Sequence, residues 1–136
     1  LGVADIKRKG DDVTIVSFGK IIKEAYKAAE VLEKDGISCE IIDLRTVRPL
    51  DYNTVFESVK KTNRLVVLEE AWPFGNVATD ITYQVQQHLF DYLDAPVEKI
   101  NTADTPAPYS PVLLKEWLPN SENVISAVKK VLYVKA

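Results

Sequence analysis

The sequence contains no methionine, one cysteine (Cys39), one histidine (His88) and five glycines in 136 residues. Each shortage removes a class of function. A chain that does not open on Met is expected to begin inside a longer protein, with any targeting segment out of view. A lone cysteine excludes an internal disulfide and cannot by itself hold zinc. His88 is the only side chain of the type that titrates near neutrality, and no Ser, Cys or Asp motif accompanies it. After the first apolar run, "FGK" offers one glycine where a dinucleotide site needs G-x-G-x-x-G, and no G-x-x-x-x-G-K-S/T loop exists. No apolar run approaches the roughly 18 residues that a membrane-spanning helix needs. Lys and Arg total 17 against 20 Asp and Glu, and the net charge of -3 leaves no basic excess for a nucleic-acid surface.

What is present is ordinary in bulk and regular in pattern. Hydrophobic residues make up 46% and charged ones 27%, as in a globular domain able to bury a core. Short β-branched runs alternate with helical stripes. "DVTIVSF" (12–18) reads as a buried strand. Ile21, Ile22, Ala25, Ala29 and Leu32 then share one helical face, and Gly36 is the stop signal. "ISCEIIDL" is a second strand, followed by the loop "RTVRPLD" and a helix with Asp51 as N-cap carrying Val55, Phe56 and Val59. "RLVVLEE" is a third strand. Asn76 caps the next helix, with Val77, Ile81, Val85 and Leu89 inward and Asp80 at the positive end. "APVEKIN" is a short strand. The proline-rich "TADTPAPYSPVLLKEWLP" reads as a long irregular connection. A last helix, capped by Asn120 or Ser121, buries Val124, Val128 and Val131. Such alternation predicts a mostly parallel sheet covered on both faces, in one domain spanning 1–136.

Ligands of open α/β sheets gather outside the carboxyl ends of the strands, which here carry "FGK", "RTVRP", "EEAWPFGN" and "TADTPAPYS". Glu69 and Glu70 are adjacent on a strand, so alternation sends them to opposite faces and denies them the role of a facing acid/base pair. One is expected at a cap or a basic partner and the other in solvent. Arg45 and Arg48 fit either an anion or the neighbouring Asp43 and Asp51. Cys39 alternates with Ile37 and Ile41 as a buried thiol, and His88 sits at the edge of its helix's apolar stripe. Trp72, Phe74, Tyr109 and Trp117 all fall in expected loops. Loop aromatics beside proline either plug the domain's own edge or anchor a partner.

Several stretches together resemble a known family. "DVTIVSFGK", "GISCEIIDLRTVRPLD", "VKKTNRLVVLEEAWPFGN", "FDYLDAPVEKI" and "TADTPAPYSPVL" are similar to the C-terminal domain of 2-oxo acid dehydrogenase beta subunits, which has the transketolase C-terminal fold. The likeness covers about Gly2 to Leu132 and is nearest to the pyruvate dehydrogenase type. It implies a three-layer α/β/α sandwich on a five-stranded, mostly parallel sheet with one antiparallel edge strand, supplied by "GVADIKR". It further implies a parent enzyme of two alpha and two beta subunits. That enzyme decarboxylates a 2-oxo acid on thiamine diphosphate and Mg and reductively acylates a lipoyl group. No catalytic, cofactor-binding or metal-binding residue carries over to this segment, and His88 does not match the family's catalytic histidine.

The resemblance assigns assembly to this domain, through contact with the alpha subunit and a second beta subunit and docking of the subunit-binding domain of the dihydrolipoyl acyltransferase. By motif match, docking falls on Asp94 of "LDAP", with Asp91 nearby and the tail at Lys135 and Ala136 as the second element. Asp91, Asp94 and Glu98 are expected to cluster. Against docking, Asp94 is also an ordinary turn residue before Ala95-Pro96. Subunit contact falls on Trp72, Pro73, Phe74 and Tyr109. The sequence departs from the family at "FGNVATD", where relatives often carry a glycine-rich "FGVGAE", and at its tail, which lacks a bulky apolar end residue. The resemblance places the parent in the bacterial cytoplasm, with the mitochondrial matrix as the alternative. A branched-chain 2-oxo acid or acetoin dehydrogenase keeps the same domain with another substrate. A stand-alone anion-binding sensor using Arg45 and Arg48 is the rival of another class.

Overall fold

Residues 2–134 are described by a computed structural model. Strands β2 (Val13–Ser17), β3 (Cys39–Asp43) and β4 (Leu65–Leu68) are buried at every position but Asp43, as parallel strands covered on both faces must be. With β1 (Asp5–Arg8) and β5 (Glu98–Ile100) they form one sheet in the order β1-β3-β2-β4-β5. Only the edge pair β1–β3 is antiparallel; β2–β3, β2–β4 and β4–β5 are parallel. The expected sandwich with one antiparallel edge strand is therefore the observed one.

Strand alternation divides the core. Val13, Ile15, Cys39, Ile41, Val66 and Leu68 face helices α1 (Ile22–Lys34) and α5 (Ser121–Val131). Val16, Ile42, Leu65 and Val67 face α2 (Tyr52–Thr62) and α3 (Val77–Leu89). Both faces are thus closed by the chain's own helices. The periodic stripes sit inward: Ala25, Ala29 and Leu32 on α1, Val55 and Val59 on α2, and Ile81, Val85 and Leu89 on α3 are all buried. Asp51 caps α2 by accepting from the Thr54 N–H at 3.2 Å and also takes the Ala4 N–H at 3.0 Å, which ties β1 to that helix. Asn120 caps α5 in a reciprocal box with Asn123.

One buried polar group sits under α2. Glu40 of β3, 2% exposed, accepts from the Ser58 hydroxyl at 2.5 Å, from the Gly10 N–H at 3.2 Å and from Lys61. Ser58 and Thr62 both reach Thr14 at 2.7 Å, so the cluster is fully partnered, as burial demands. Burial raises the Glu40 carboxyl, but Lys61, Ser58 and Gly10 together hold it below the usual range.

The structure corrects two sequence expectations. The proline-rich connection contains a seven-residue helix, α4 (Pro111–Trp117), so Trp117 ends a helix instead of lying in a loop. Pro111 occupies its first turn, where a missing N–H costs nothing. The third strand stops at Leu68, short of both glutamates. A 3₁₀ turn, Phe90–Tyr92, which buries none of its residues, follows α3.

Candidate functional site

Two surfaces stand out, at opposite ends of the parallel strands. From β2 the chain turns through α1 to β3 on one side, whereas β4 lies on the other side of β2. The connections leaving β2 and β4 therefore part, and a crevice opens at such a switch point. A cleft of about 930 Å³ occupies it, lined by Phe18, Arg48, Tyr52, Glu70, Trp72 and Phe74 among others.

The "EEAWPFGN" loop forms one wall. Glu69 is 1% exposed and Glu70 is exposed, so the two carboxylates do not face each other. The Glu69 N–H still donates to the Ile100 carbonyl at 3.0 Å, continuing the strand's direction. Its carboxylate accepts from the Ala78 N–H, in the first turn of α3, at 3.3 Å and from the Asn101 amide at 2.8 Å. Burial pushes the Glu69 carboxyl up, and Asn101, Ala78 and Lys99 oppose that rise. Glu69 is a structural cap, and Glu70 is the solvated partner, as the alternation implied. Asn76 accepts from the Thr79 N–H at 2.8 Å and its amide reaches the Trp72 carbonyl.

The aromatics expected to make contacts divide between anchored and free. Trp72 is 50% exposed and donates its indole N–H to the Thr105 carbonyl at 3.0 Å, and Trp117 donates to the same oxygen at 2.8 Å. Pro73 holds the Lys99 ammonium on its carbonyl at 2.9 Å. Phe74 and Tyr109 stand fully in solvent, at 89% and 103% exposure. The arginines are not absorbed by their neighbours. Asp43 accepts the Arg45 backbone N–H and Asp51 is occupied by Ala4 and Thr54, while Arg48 lines the cleft. Asp80 accepts from the Tyr52 hydroxyl across the cleft floor. His88 is exposed and meets the Phe56 ring at a 47° tilt, with centroids 5.5 Å apart. The Cys39 thiol is buried in the core and pushed up to about 12 by that burial.

The second surface lies at the amino ends of β4 and β5. Asn63, left-handed at φ 66, ends α2 and holds the following turn by accepting the Asp94 N–H at 2.9 Å and donating to the Tyr92 carbonyl at 2.8 Å. Asp94 is exposed and its carboxylate lies 3.8 Å from Arg64. Arg64 donates to the Val131 carbonyl at 3.0 Å, and Tyr133 reaches the Asp94 carbonyl at 3.4 Å. Asp94 and the end of the described chain thus form one corner, while Lys135 and Ala136 lie outside the described residues. Asp91 is exposed on the 3₁₀ turn. Glu98 does not join a free acidic group, because Lys130 lies 2.5 Å from it. Sequence reading missed Arg64 and Asn63. The stop signal at Asn63 was readable, but its tertiary partners were not.

The described residues contain no group of three or more His, Cys, Asp and Glu able to hold a metal, and no helix long and apolar enough to cross a membrane. Comparison with known proteins adds the relationships. Residues 2–124 match the model of the transketolase C-terminal domain. The chain is 52% identical over 134 residues to a pyruvate dehydrogenase E1 component subunit beta of Rickettsia bellii, covering 98% of this chain and 41% of that protein. It is 45% identical over 131 residues to the mitochondrial E1 component subunit beta of Dictyostelium discoideum, covering 96% of this chain and 37% of that protein. The chain therefore spans well under half the length of these relatives. Among solved structures, a split-gene transketolase described as an inactive beta4 tetramer superposes with a TM-score of 0.86 at 28% identity, over 99% of this chain and 44% of that one.

Proposed function

The chain belongs to the transketolase C-terminal domain family, and from that premise we propose that it is the assembly and docking domain of a pyruvate dehydrogenase-type beta subunit. In the parent enzyme, thiamine diphosphate with Mg would supply the electron sink for decarboxylating pyruvate, whose remaining two carbons become the acetyl group on the lipoyl arm of the acyltransferase. This domain contributes no step to that chemistry. The α3 N-terminus, a helix end of the kind that can cradle a diphosphate, already holds the Glu69 carboxylate, which supports a cofactor site outside this domain.

The observation that carries the docking role is the corner at Asp94. An exposed carboxylate, Arg64, Val131 and Tyr133 meet there, so a motif residue and the turn after the last helix present one surface to the acyltransferase's subunit-binding domain. Charged groups at such a rim raise the association rate and set register. The aromatic end, with Trp72, Pro73, Phe74 and Tyr109, is the surface for the alpha and second beta subunits, since exposed aromatics make hot spots. The bacterial cytoplasm is the compartment of this reading, with the mitochondrial matrix as the alternative that a mitochondrial relative keeps open. A sensor of anionic metabolites is less well supported, because the cleft sets Glu69, Glu70 and Asp80 against Arg48 alone.

Asp94→Ala in the full-length enzyme tests this reading. Binding to the acyltransferase core should weaken up to about tenfold, chiefly through slower association, as loss of a rim charge does, with pyruvate decarboxylation by the free enzyme unchanged. Equal affinity would remove Asp94 from the docking surface. Saturable micromolar binding of thiamine diphosphate to the 136-residue chain, measured by calorimetry, would overturn the assignment of an assembly domain.

A further inference from the structure

The cleft at the carboxyl ends of β2 and β4 combines three features. Its helix N-terminus is occupied: the Glu69 carboxylate accepts the Ala78 N–H, so the partial positive charge that would draw a phosphate is already met from within. The remaining charged side chains on its walls are Glu70, Asp80 and Arg48, two anions against one cation. The rim is aromatic, with Trp72 half in solvent and Phe74 at 89% exposure. An aromatic rim over Glu70, which is exposed, and Asp80, which takes one hydroxyl donor from Tyr52, is the environment that attracts a guanidinium, through ring faces and through charge-assisted hydrogen bonds.

We propose that this cleft seats an arginine side chain carried by a neighbouring protein segment, held between the Trp72 and Phe74 rings and the carboxylates of Glu70 and Asp80. The occupant follows from charge complementarity. A phosphate or carboxylate ligand meets Glu70, with the helix end unavailable to offset it, while a neutral apolar anchor desolvates Glu70 without a partner and leaves Asp80 only the Tyr52 hydroxyl. Arginine suits the cleft better than lysine, because its planar group stacks on a ring while its N–H groups reach a carboxylate. Pro73 and Lys99 fix the rim loop from behind, and the Asn76 amide on the Trp72 carbonyl fixes it from the side, so the loop is organised before a partner arrives. This inference rests on the reading of the aromatic loop as a contact surface and adds the chemistry of what contacts it.

The test follows the Trp72 indole N–H and the Gly75 amide by NMR as the chain is titrated with N-acetyl-arginine amide, N-acetyl-leucine amide or inorganic phosphate. The expected result is a saturable shift with the arginine amide alone. Affinity should fall about fivefold in Glu70→Gln, the effect of one exposed ion pair, and should largely return in Glu70→Asp. Equal response to the leucine amide would overturn the arginine assignment while leaving the contact surface standing. A response to phosphate, or none to any probe, would overturn the proposal outright. Glu69→Gln serves as the control for an internal cap: an unchanged arginine response is expected, and loss of that response would show that Glu69, not Glu70, carries it.

Discussion

Trp72 and Trp117 donate their indole N–H groups to one carbonyl, that of Thr105, at 3.0 and 2.8 Å. Two loops that sequence alone leaves independent, "EEAWPFGN" and "TADTPAPYS", are joined there by a single oxygen with both lone pairs used. The acceptor is therefore redundant. Trp72→Phe or Trp117→Phe alone should cost less than about 1 kcal/mol, since each leaves the carbonyl one donor. The double variant should cost more than the sum by about 0.5 kcal/mol or more. Urea unfolding of the four proteins measures this, and strict additivity would argue against a shared acceptor.

Glu40 and Glu69 should drive stability in opposite directions with pH. Glu40 is held below its ordinary 4.5 in the folded chain, so it contributes stability above that value that is lost as pH falls through its folded pKa. Glu69 is raised above its ordinary 4.5. Its contribution is fully present below that pH and is lost as pH rises through the folded pKa. Glu40→Gln should flatten the acid limb of the stability profile, and Glu69→Gln should flatten the fall on the other side. Chemical denaturation from pH 3 to 8 checks both, and a steeper acid limb in Glu40→Gln would contradict the first.

Gly10 should not tolerate a side chain. A Cβ there would lie 2.3 Å from the Cys39 carbonyl carbon and 2.6 Å from the Glu40 nitrogen. Both are backbone atoms of β3, which cannot move without breaking the sheet and the Gly10–Glu40 hydrogen bond. Gly10→Ala should destabilise by about 3 kcal/mol, at the upper end of overpacking effects. A melting temperature within a degree of the parent would show that the strand yields.

Asn63 holds the docking corner by conformation as much as by contact. Asn63→Gly keeps the left-handed backbone and loses the side-chain bonds to Tyr92 and, at 3.5 Å, to Lys60, so it should cost about 1 kcal/mol. Asn63→Ala adds the left-handed penalty and should cost about 2 kcal/mol. In the full-length enzyme both should weaken acyltransferase binding less than Asp94→Ala. Equal stability of the two variants would mean that the turn is not strained.

The order of strands and helices was readable because each buried residue recurs at a period that only one element satisfies. Val13, Ile15, Val66 and Leu68 are apolar for the sheet, and Val124, Val128 and Val131 for a helix. The antiparallel edge strand was expected on resemblance, since Ile6 and Lys7 are exposed and leave too little apolar signal. Pro111 hid α4 because proline breaks a helix interior but suits a helix start. The fate of Glu69 was half legible: alternation assigns one glutamate inward, but its bond to Asn101 spans 32 positions and carries no local mark. The corner at Asp94 is assembled by Arg64 and Tyr133 from segments equally remote in sequence, so only the folded chain brings its members together.

The route between the two surfaces is covalent and short. Arg64, at the docking corner, directly precedes β4, and Glu69, under the cleft, directly follows it. Five extended steps of about 3.3 Å set their separation near 17 Å. That strand is paired on both sides, to β2 and to β5, and so behaves as a strut. Whatever binds at one end is held at a fixed gauge from whatever binds at the other. The gauge is written in backbone geometry, which side-chain substitution at either end leaves untouched.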